Sequence, residues 1–332
     1  MKLFINKKNI ISMTKEEYKE FIAMGWKLLP ETQCEIFDLP LTDAREIFLQ
    51  YIQNHRLCQT AQLKIFSLPK KTAKELILKY IEKYPLCSKA QLEIFNIFSK
   101  GVAADIFRYY ISQEYELCRG AQIKIFSLSG HVKDLLGQYM VYNELCKAAQ
   151  MKIFELPPKT AKDIILKYSC YGELCHNAET KIFDLPLKEA RAVLVDYVQH
   201  HPLWADNEFR LFKLPPEVVK DILVRYNHRL CEAAELRIFY LPTEIAAKIL
   251  GKRIEKFVLC FKSEMKLFSL PLDVARQILI KYVSIRGLCM GAQMKIFDLP
   301  ADMAKEIFLI HNRRWLTCSD AKEKAEELGF VK

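Results

Sequence analysis

Cysteine holds one recurring place in this 332-residue sequence: Cys58, Cys87, Cys118, Cys146, Cys175, Cys231, Cys260 and Cys289, with Trp204 substituting once and Thr317 standing there near the end. Thiolates ligate soft metals and exchange with disulfides, so a thiol in every copy of a repeat suggests a metal or redox array. Distance speaks against it. Packed helical layers lie roughly 8–10 Å apart, beyond the roughly 7 Å Cα limit of a disulfide and too far for neighbours to share an ion. The column is better read as small, buried, apolar residues. The eleven cysteines are an odd set with no C-x-x-C pair, which argues against a disulfide framework and a zinc ribbon.

Catalytic chemistry finds little else to stand on. The seven histidines are scattered and join no recurring acid, cysteine or serine at triad or metal spacing. No G-x-G-x-x-G, G-x-x-x-x-G-K-[ST] or H-E-x-x-H occurs, and ten glycines leave little room for phosphate loops. The expectation is a protein that is not an enzyme and carries no cofactor and no metal.

Two basic columns bear on partner choice. Two places before a recurring Phe stand Lys64, Lys124, Lys152, Lys181, Arg210, Arg237, Lys266 and Lys295, with Glu35 and Glu93 as exceptions. Such a row could follow the phosphates of DNA or RNA, with affinity that falls steeply as salt rises. Equally, outward lysines stay hydrated while their stems cover apolar surface. The second column, Arg45, Lys74, Lys133, Lys162, Arg191, Lys220, Arg276 and Lys305, is usually followed by an acid, so much of its field cancels. Only the first is a candidate phosphate track. The residues after each cysteine, such as Gln59-Thr60, Ser88-Lys89 and Arg119-Gly120, are too mixed in chemistry for a base-reading code.

Four places before the same Phe, every copy carries Gln or Glu: Gln33, Gln62, Gln91, Gln122, Gln150, Glu179, Glu208, Glu235, Glu264 and Gln293. An unpaired amide beside an apolar face is costly, so this column is expected to bond backbone groups at the joint with the next copy. An acidic stripe on a contact surface is the competing reading. The four glutamates are then either solvated or paired with Lys or Arg. A tyrosine column, Tyr51, Tyr80, Tyr110, Tyr139, Tyr168, Tyr197, Tyr226 and Tyr282, reads as core with the hydroxyl reaching the rim.

The elements that must position these columns follow from the repeat itself. The Ile-Phe or Leu-Phe pair ends at Phe37, Phe66, Phe95, Phe126, Phe154, Phe183, Phe212, Phe239, Phe268 and Phe297, ten copies spaced 27 to 31 residues apart. At about 100° per residue, Cys58, Ala61, Ile65 and Leu68 fall on one arc with Lys64 opposite. That is a short amphipathic helix. Leu68-Pro69 closes it, proline being welcome in the first turn of the next helix. Ala73, Leu76, Ile77 and Tyr80 then share a face, predicting a second helix. Two such helices cannot bury both faces alone, so copies must stack. The sequence predicts an all-α fold: an elongated, curved α-solenoid of about ten two-helix repeats over 28–315, with a cap region at 1–27 and a half-repeat and cap at 316–332. Thr14 to Glu17 offers a capping box, and a charged helix from Ser319 closes at Gly329.

The order Pro-Leu-Cys-x-x-Ala-Gln, seen at Pro85 to Gln91, then an apolar run, Leu-Pro and Ala-Lys, seen at Leu68 to Lys74, resembles short bihelical repeat families. These are the HEAT-like α-solenoids and, more distantly, the leucine-rich-repeat-variant proteins. The resemblance covers 28–315. The variant family's repeats are shorter, and the cysteine-rich iron–sulfur segment of one of its branches has no counterpart here. It implies architecture rather than activity.

Composition agrees with a folded chain: 51% apolar and 27% charged. The formal charge of +10 prefers anionic partners without requiring nucleic acid. Met1 to Lys8 shows no leader-type apolar run and no stretch reaches 18 apolar residues, so a cytoplasmic protein without a membrane partner is expected. Long solenoid surfaces bind large or extended partners. The function expected first is a scaffold for a protein or peptide; nucleic-acid binding through the first basic column is the alternative. Between Phe95 and Tyr139 the Leu-Pro is lost and four glycines gather, which suggests a hinge or a change of curvature, or simple repeat drift.

Overall fold

A computed structural model describes residues 13–331; the leader-free reading of Met1 to Lys8 lies outside the described residues. Among them are twenty-two α-helices, five single 3-10 turns and no strand. The chain divides into two compact units, one ending at Leu174 and the other beginning at Cys175.

One copy shows how the sequence makes its elements. Cys58, in extended backbone (φ −67, ψ 161), caps the helix Gln59–Lys64, its Sγ accepting the Ala61 N–H at 3.3 Å. The chain must leave helical geometry before Pro69, because proline crowds the helical conformation of the residue it follows. The last turn therefore tightens to the 3-10 segment Ile65–Ser67, and Leu68 is extended at ψ 161. Pro69 stands one place earlier than expected, at the N-cap of the helix Lys70–Ile81 rather than inside its first turn. Pro158 and Pro216, each following another proline, do occupy the first turn.

The long helix buries Ala73, Leu76, Ile77 and Tyr80, as its periodicity predicts. In the short helix Leu57, Ala61 and Ile65 are buried, but Cys58, Lys64 and Leu68 are half-buried. The tightening bears on Leu68, which follows it: a 3-10 turn advances about 120° per residue rather than 100°; Cys58 stands outside the helix at its N-cap, and the stem of Lys64 covers apolar surface.

Within the first unit, Gln59–Lys64 packs on Pro30–Glu35 and Ser88–Ile97, while Lys70–Ile81 packs on Leu41–Tyr51 and Lys100–Ser112. Within the second, Glu232–Arg237 lies between Ala205–Leu211 and Phe261–Leu267, and Thr243–Lys256 between Pro216–Leu223 and Leu272–Ile285. In each unit the principal contacts join elements of one copy or of adjacent copies. Both expected caps are present: Glu17 N–H to Thr14 Oγ1 at 3.4 Å with Thr14 N–H to Glu17 Oε2 at 2.7 Å, and Ser319–Glu327 closed by Gly329 at φ +68.

The irregular stretch keeps this packing. Ser88–Ile97 is a single α-helix without a 3-10 end and still meets both neighbours, as does Lys100–Ser112. The two extra residues lengthen the helices, Ser88–Ile97 and Lys100–Ser112 each being one residue longer than the matching 59–67 and Lys70–Ile81, and the turn at 113–118 keeps the length of 82–87. Glu114 there is the one non-glycine residue with positive φ (60) among the described residues, and Gly130 has φ +86.

Candidate interaction surfaces and the joints behind them

The Gln/Glu column is a ladder at the joints, as read from the sequence. Gln62 donates from Nε2 to the Leu57 carbonyl and to the Tyr80 hydroxyl, both at 3.1 Å, and its Oε1 accepts the Cys87 N–H of the next copy at 2.8 Å. Gln33 and Gln122 repeat all three bonds. The column is buried throughout. The cysteine column is thereby corrected. Each cysteine of the column is half-buried and stands at the N-cap position of a short helix, with Cys58, Cys118 and Cys260 accepting a helix N–H at Sγ, and the backbone N–H of members such as Cys87 and Cys231 is what the ladder holds. The last member is Cys318, whose N–H donates to Gln293 Oε1 at 2.8 Å, while Thr317 takes the preceding leucine's place. Burial pushes the Cys289 thiol up to about 11, helped by Glu264. That makes it a poor nucleophile at neutral pH.

The four glutamates are neither solvated nor a surface stripe: Glu179, Glu208, Glu235 and Glu264 are 0–3% exposed. Their carboxylates take the joint N–H groups, as Glu208 does from Cys231 at 2.9 Å and Glu264 from Cys289 at 2.8 Å. The tyrosines complete the exchange. Their hydroxyls are buried rather than at the rim; beside glutamine they accept, and beside glutamate they donate, Tyr226 to Glu208 at 2.8 Å and Tyr282 to Glu264 at 2.7 Å. Burial pushes the Tyr80 phenol up to about 12; burial and then the Glu208 charge push Tyr226 further still.

Two residues outside the tyrosine column as read from sequence also belong to it. Arg253 and His311 each lie 18 places after their copy's Glu235 or Gln293, the offset of Tyr80 from Gln62. Arg253 is 2% exposed. Its guanidinium lies over the Phe257 ring at 5.0 Å and the Tyr226 ring at 5.8 Å, and Nη2 donates to the His228 carbonyl at 3.3 Å. Burial lowers its pKa, opposed first by the Glu235 carboxylate. His311 Nε2 accepts the Leu288 N–H at 3.1 Å, which requires a neutral ring, and burial lowers its pKa.

The first basic column is placed in pieces. Lys152, Lys181 and Lys295 pair with Glu155, Asp184 and Asp298 at 2.6–2.9 Å, three residues on. Lys64 donates to the Cys34 carbonyl at 3.2 Å, with its ammonium 5.9 Å from the centre of the Phe37 ring. Lys124 donates to Asn96 and lies 6.0 Å from the Phe95 ring, and Lys266 lies 4.9 Å from the Tyr240 ring. Arg210 and Arg237 are exposed and make no ion pair with a described residue. The second basic column cancels in part, and mostly across copies: Lys133 meets Asp163 at 2.7 Å, Arg276 meets Glu306, and Arg45 and Arg191 reach Glu75 and Asp221, while Lys220 pairs with Glu217 of its own helix and Lys74 and Lys305 form no ion pair with a described residue.

Two open cavities lie in the first unit, both lined by the turns at 112–118 and 141–146. One, of 680 Å³, has Glu114, Glu116, Glu144 and Arg119 in its wall. The other, of 660 Å³, has Tyr109, Val141 and Tyr142. Among the described residues no group of three or more His, Cys, Asp or Glu is arranged to hold a metal ion. The chain matches no protein-family model, no curated protein and no solved structure.

The ladder makes three predictions. Gln122→Ala orphans the Cys146 N–H, the Leu117 carbonyl and the Tyr139 hydroxyl, and should cost about 3 kcal/mol in denaturant titration, at roughly 1–3 kcal/mol per orphaned group with partial relaxation; Gln122→Glu should cost less because Tyr139 can turn donor. Arg253→Ala loses the cation–π contacts with Phe257 and Tyr226 in a desolvated site and should cost about 2 kcal/mol or more in denaturant titration, whereas Arg253→Tyr rebuilds the column and should be tolerated. Above the ordinary value of 6.5 the neutral His311 contributes fully; as pH falls below it the unfolded chain takes up the proton first, and stability is lost down through the lower folded value. The melting-temperature advantage of His311→Tyr over wild type should therefore widen from about pH 7.5 to about pH 5.5.

Proposed function

We propose that the chain is a cytoplasmic, HEAT-like α-solenoid of about ten two-helix repeats that acts as a non-enzymatic scaffold, binding a protein or peptide along one of its surfaces. The observation that carries this is how the polar residues are divided. Side chains that recur copy after copy are spent on the joints: the Gln/Glu ladder inside, and on the long helices ion pairs such as Lys133 to Asp163. The residues that vary from copy to copy sit on exposed short-helix starts and in the turns, where the cavities lie. A constant frame with variable contacts is how a repeat protein builds a recognition surface. Among the described residues no helix is long and apolar enough to cross a membrane.

The nucleic-acid reading would need the first basic column free to release counterions from phosphates. Three of its members are neutralised by acids three residues on, three lean on groups of the preceding copy, and two, Arg210 and Arg237, remain. Anisotropy with labelled duplex DNA and single-stranded RNA at about 50 and 200 mM salt should show no micromolar binding. Crosslinking from the source cell should recover a protein partner. Salt-sensitive nucleic-acid binding that disappears on replacing Lys124, Lys152, Lys181 and Arg210 by Glu would overturn the scaffold reading.

A further inference from the structure

We propose that the short-helix face of the second unit takes an amphipathic helix of a partner protein, with its apolar side on Phe261 and Met290 and its acidic flank toward Arg237 and Lys266. The first place of each short helix is a polar or small residue or a proline in the other copies, Gln59, Ser88, Lys147 and Glu232 among them. Two adjacent copies put Phe261 and Met290 there instead, 59% and 72% exposed. Met265 and Met294 stand four places on, on the same side of their helices. Met294 is exposed where its counterparts in the other copies are half-buried. The helices Phe261–Leu267 and Met290–Lys295 pack on each other. A Cβ at Gly291 would lie 3.3 Å from the Phe261 ring and 3.4 Å from the Met265 sulfur, so both rest on the bare backbone of the next copy. The four side chains form one apolar patch across two helices, and its aromatic ring is fixed although exposed.

The surrounding charges choose the occupant. Lys266 follows Met265, and Arg237 holds the same place one copy earlier, on a helix that packs against Phe261–Leu267. Neither forms an ion pair with a described residue; Lys266 leans on the Tyr240 ring and hydroxyl. The exposed acids on this side are taken, Glu232 by Lys262 at 2.8 Å and Asp298 by Lys295 at 2.7 Å. Beyond Met294 the closing helix Ser319–Glu327 brings Asp320 and Glu323 with Lys322, so the unopposed positive charge lies at the Arg237 end alone. An acidic segment is drawn to that end, whereas a second copy brings another +10 to the face. Methionines shape themselves to apolar side chains and offer no flat ring for a base to stack on. Neighbouring short helices lie roughly 8–10 Å apart. Two such spacings, from Arg237 to Met290, equal about three turns of a partner helix at 5.4 Å per turn, which presents its anchors at i, i+4 and i+7.

This inference rests on the scaffold reading. The test is anisotropy on the full chain with a labelled fourteen-residue, alanine-based peptide carrying four leucines at that spacing and glutamates beside them. One control peptide has Lys for Glu and another Ser for Leu. The acidic leucine peptide should bind and the two controls should not. Phe261→Ser with Met290→Ser should weaken binding roughly tenfold or more. Met290→Ser alone, at a side chain already in water, should weaken it by a smaller factor with the melting curve unchanged. Arg237→Glu with Lys266→Glu should turn the preference to the lysine peptide. Absence of binding to the acidic peptide, or binding indifferent to these substitutions, overturns the assignment. So does capture of the chain by phosphatidylserine vesicles, or self-association in sedimentation, that Phe261→Ser with Met290→Ser abolishes while the peptide leaves both unchanged. If the peptide fails but crosslinking recovers a protein partner, the scaffold reading survives that loss; if DNA or RNA binds instead, both fall.

Discussion

Each joint built on glutamine depends on one buried side chain that satisfies backbone groups from two copies at once. Where a long helix hands over to the next short one, the cysteine N–H of one copy and the leucine carbonyl of another are both sealed from water. A primary amide can donate and accept together, so Gln62 meets the Leu57 carbonyl and the Cys87 N–H with a single residue. Apolar faces alone would let stacked helices slide by a turn at little cost. The amide permits only the register in which both bonds form, the role a lone buried polar residue plays in fixing a coiled coil.

The tyrosine makes that constraint tolerant. A phenol is donor and acceptor, so exchanging Gln for Glu reverses the direction of that bond and keeps the bond from the next copy's N–H, while the leucine carbonyl loses the amide's donor. Tyr80 accepts from Gln62, whereas Tyr226 and Tyr282 donate to Glu208 and Glu264. Arg253 answers the same demand differently, placing a cation near two buried carboxylates. Burying like charges in successive copies costs less where the carboxylate accepts from two donors, as Glu208 does from Tyr226 and Cys231 and Glu264 from Tyr282 and Cys289.

Helix periods, caps and the ladder were legible in the sequence because each rests on local spacing: Ala73, Leu76, Ile77 and Tyr80 share a face in any helix, and a Gln or Glu present in all ten copies beside an apolar arc needs backbone partners. Three things were not. The amide's tyrosine lies 18 residues away on another helix, and only the paired departures at 253 and 311 hint that the columns answer each other. Cysteine seldom caps helices, so Cys58 read as core although its N–H, more than its thiol, explains its place. Lys64 read as outward because an ideal wheel gives the direction of its Cβ and not the reach of its long stem, which carries the ammonium to the preceding copy's Cys34 carbonyl.

The frame also explains where recognition can reside. Ion pairs between neighbouring long helices and pairs such as Lys152 with Glu155 consume charge that would otherwise give the whole surface one character. Within the first basic column Arg210 and Arg237 are left without an ion pair to a described residue, and in the turns Glu114, Glu116 and Glu144 are likewise unpaired. The acidic turns begin where the repeat is least regular, and the positive φ of Glu114 costs about 1 kcal/mol or more that a regular turn would not. The joints on either side, each fixed by its own buried amide, hold that turn in place, so irregularity here changes what the edge presents without loosening the stack.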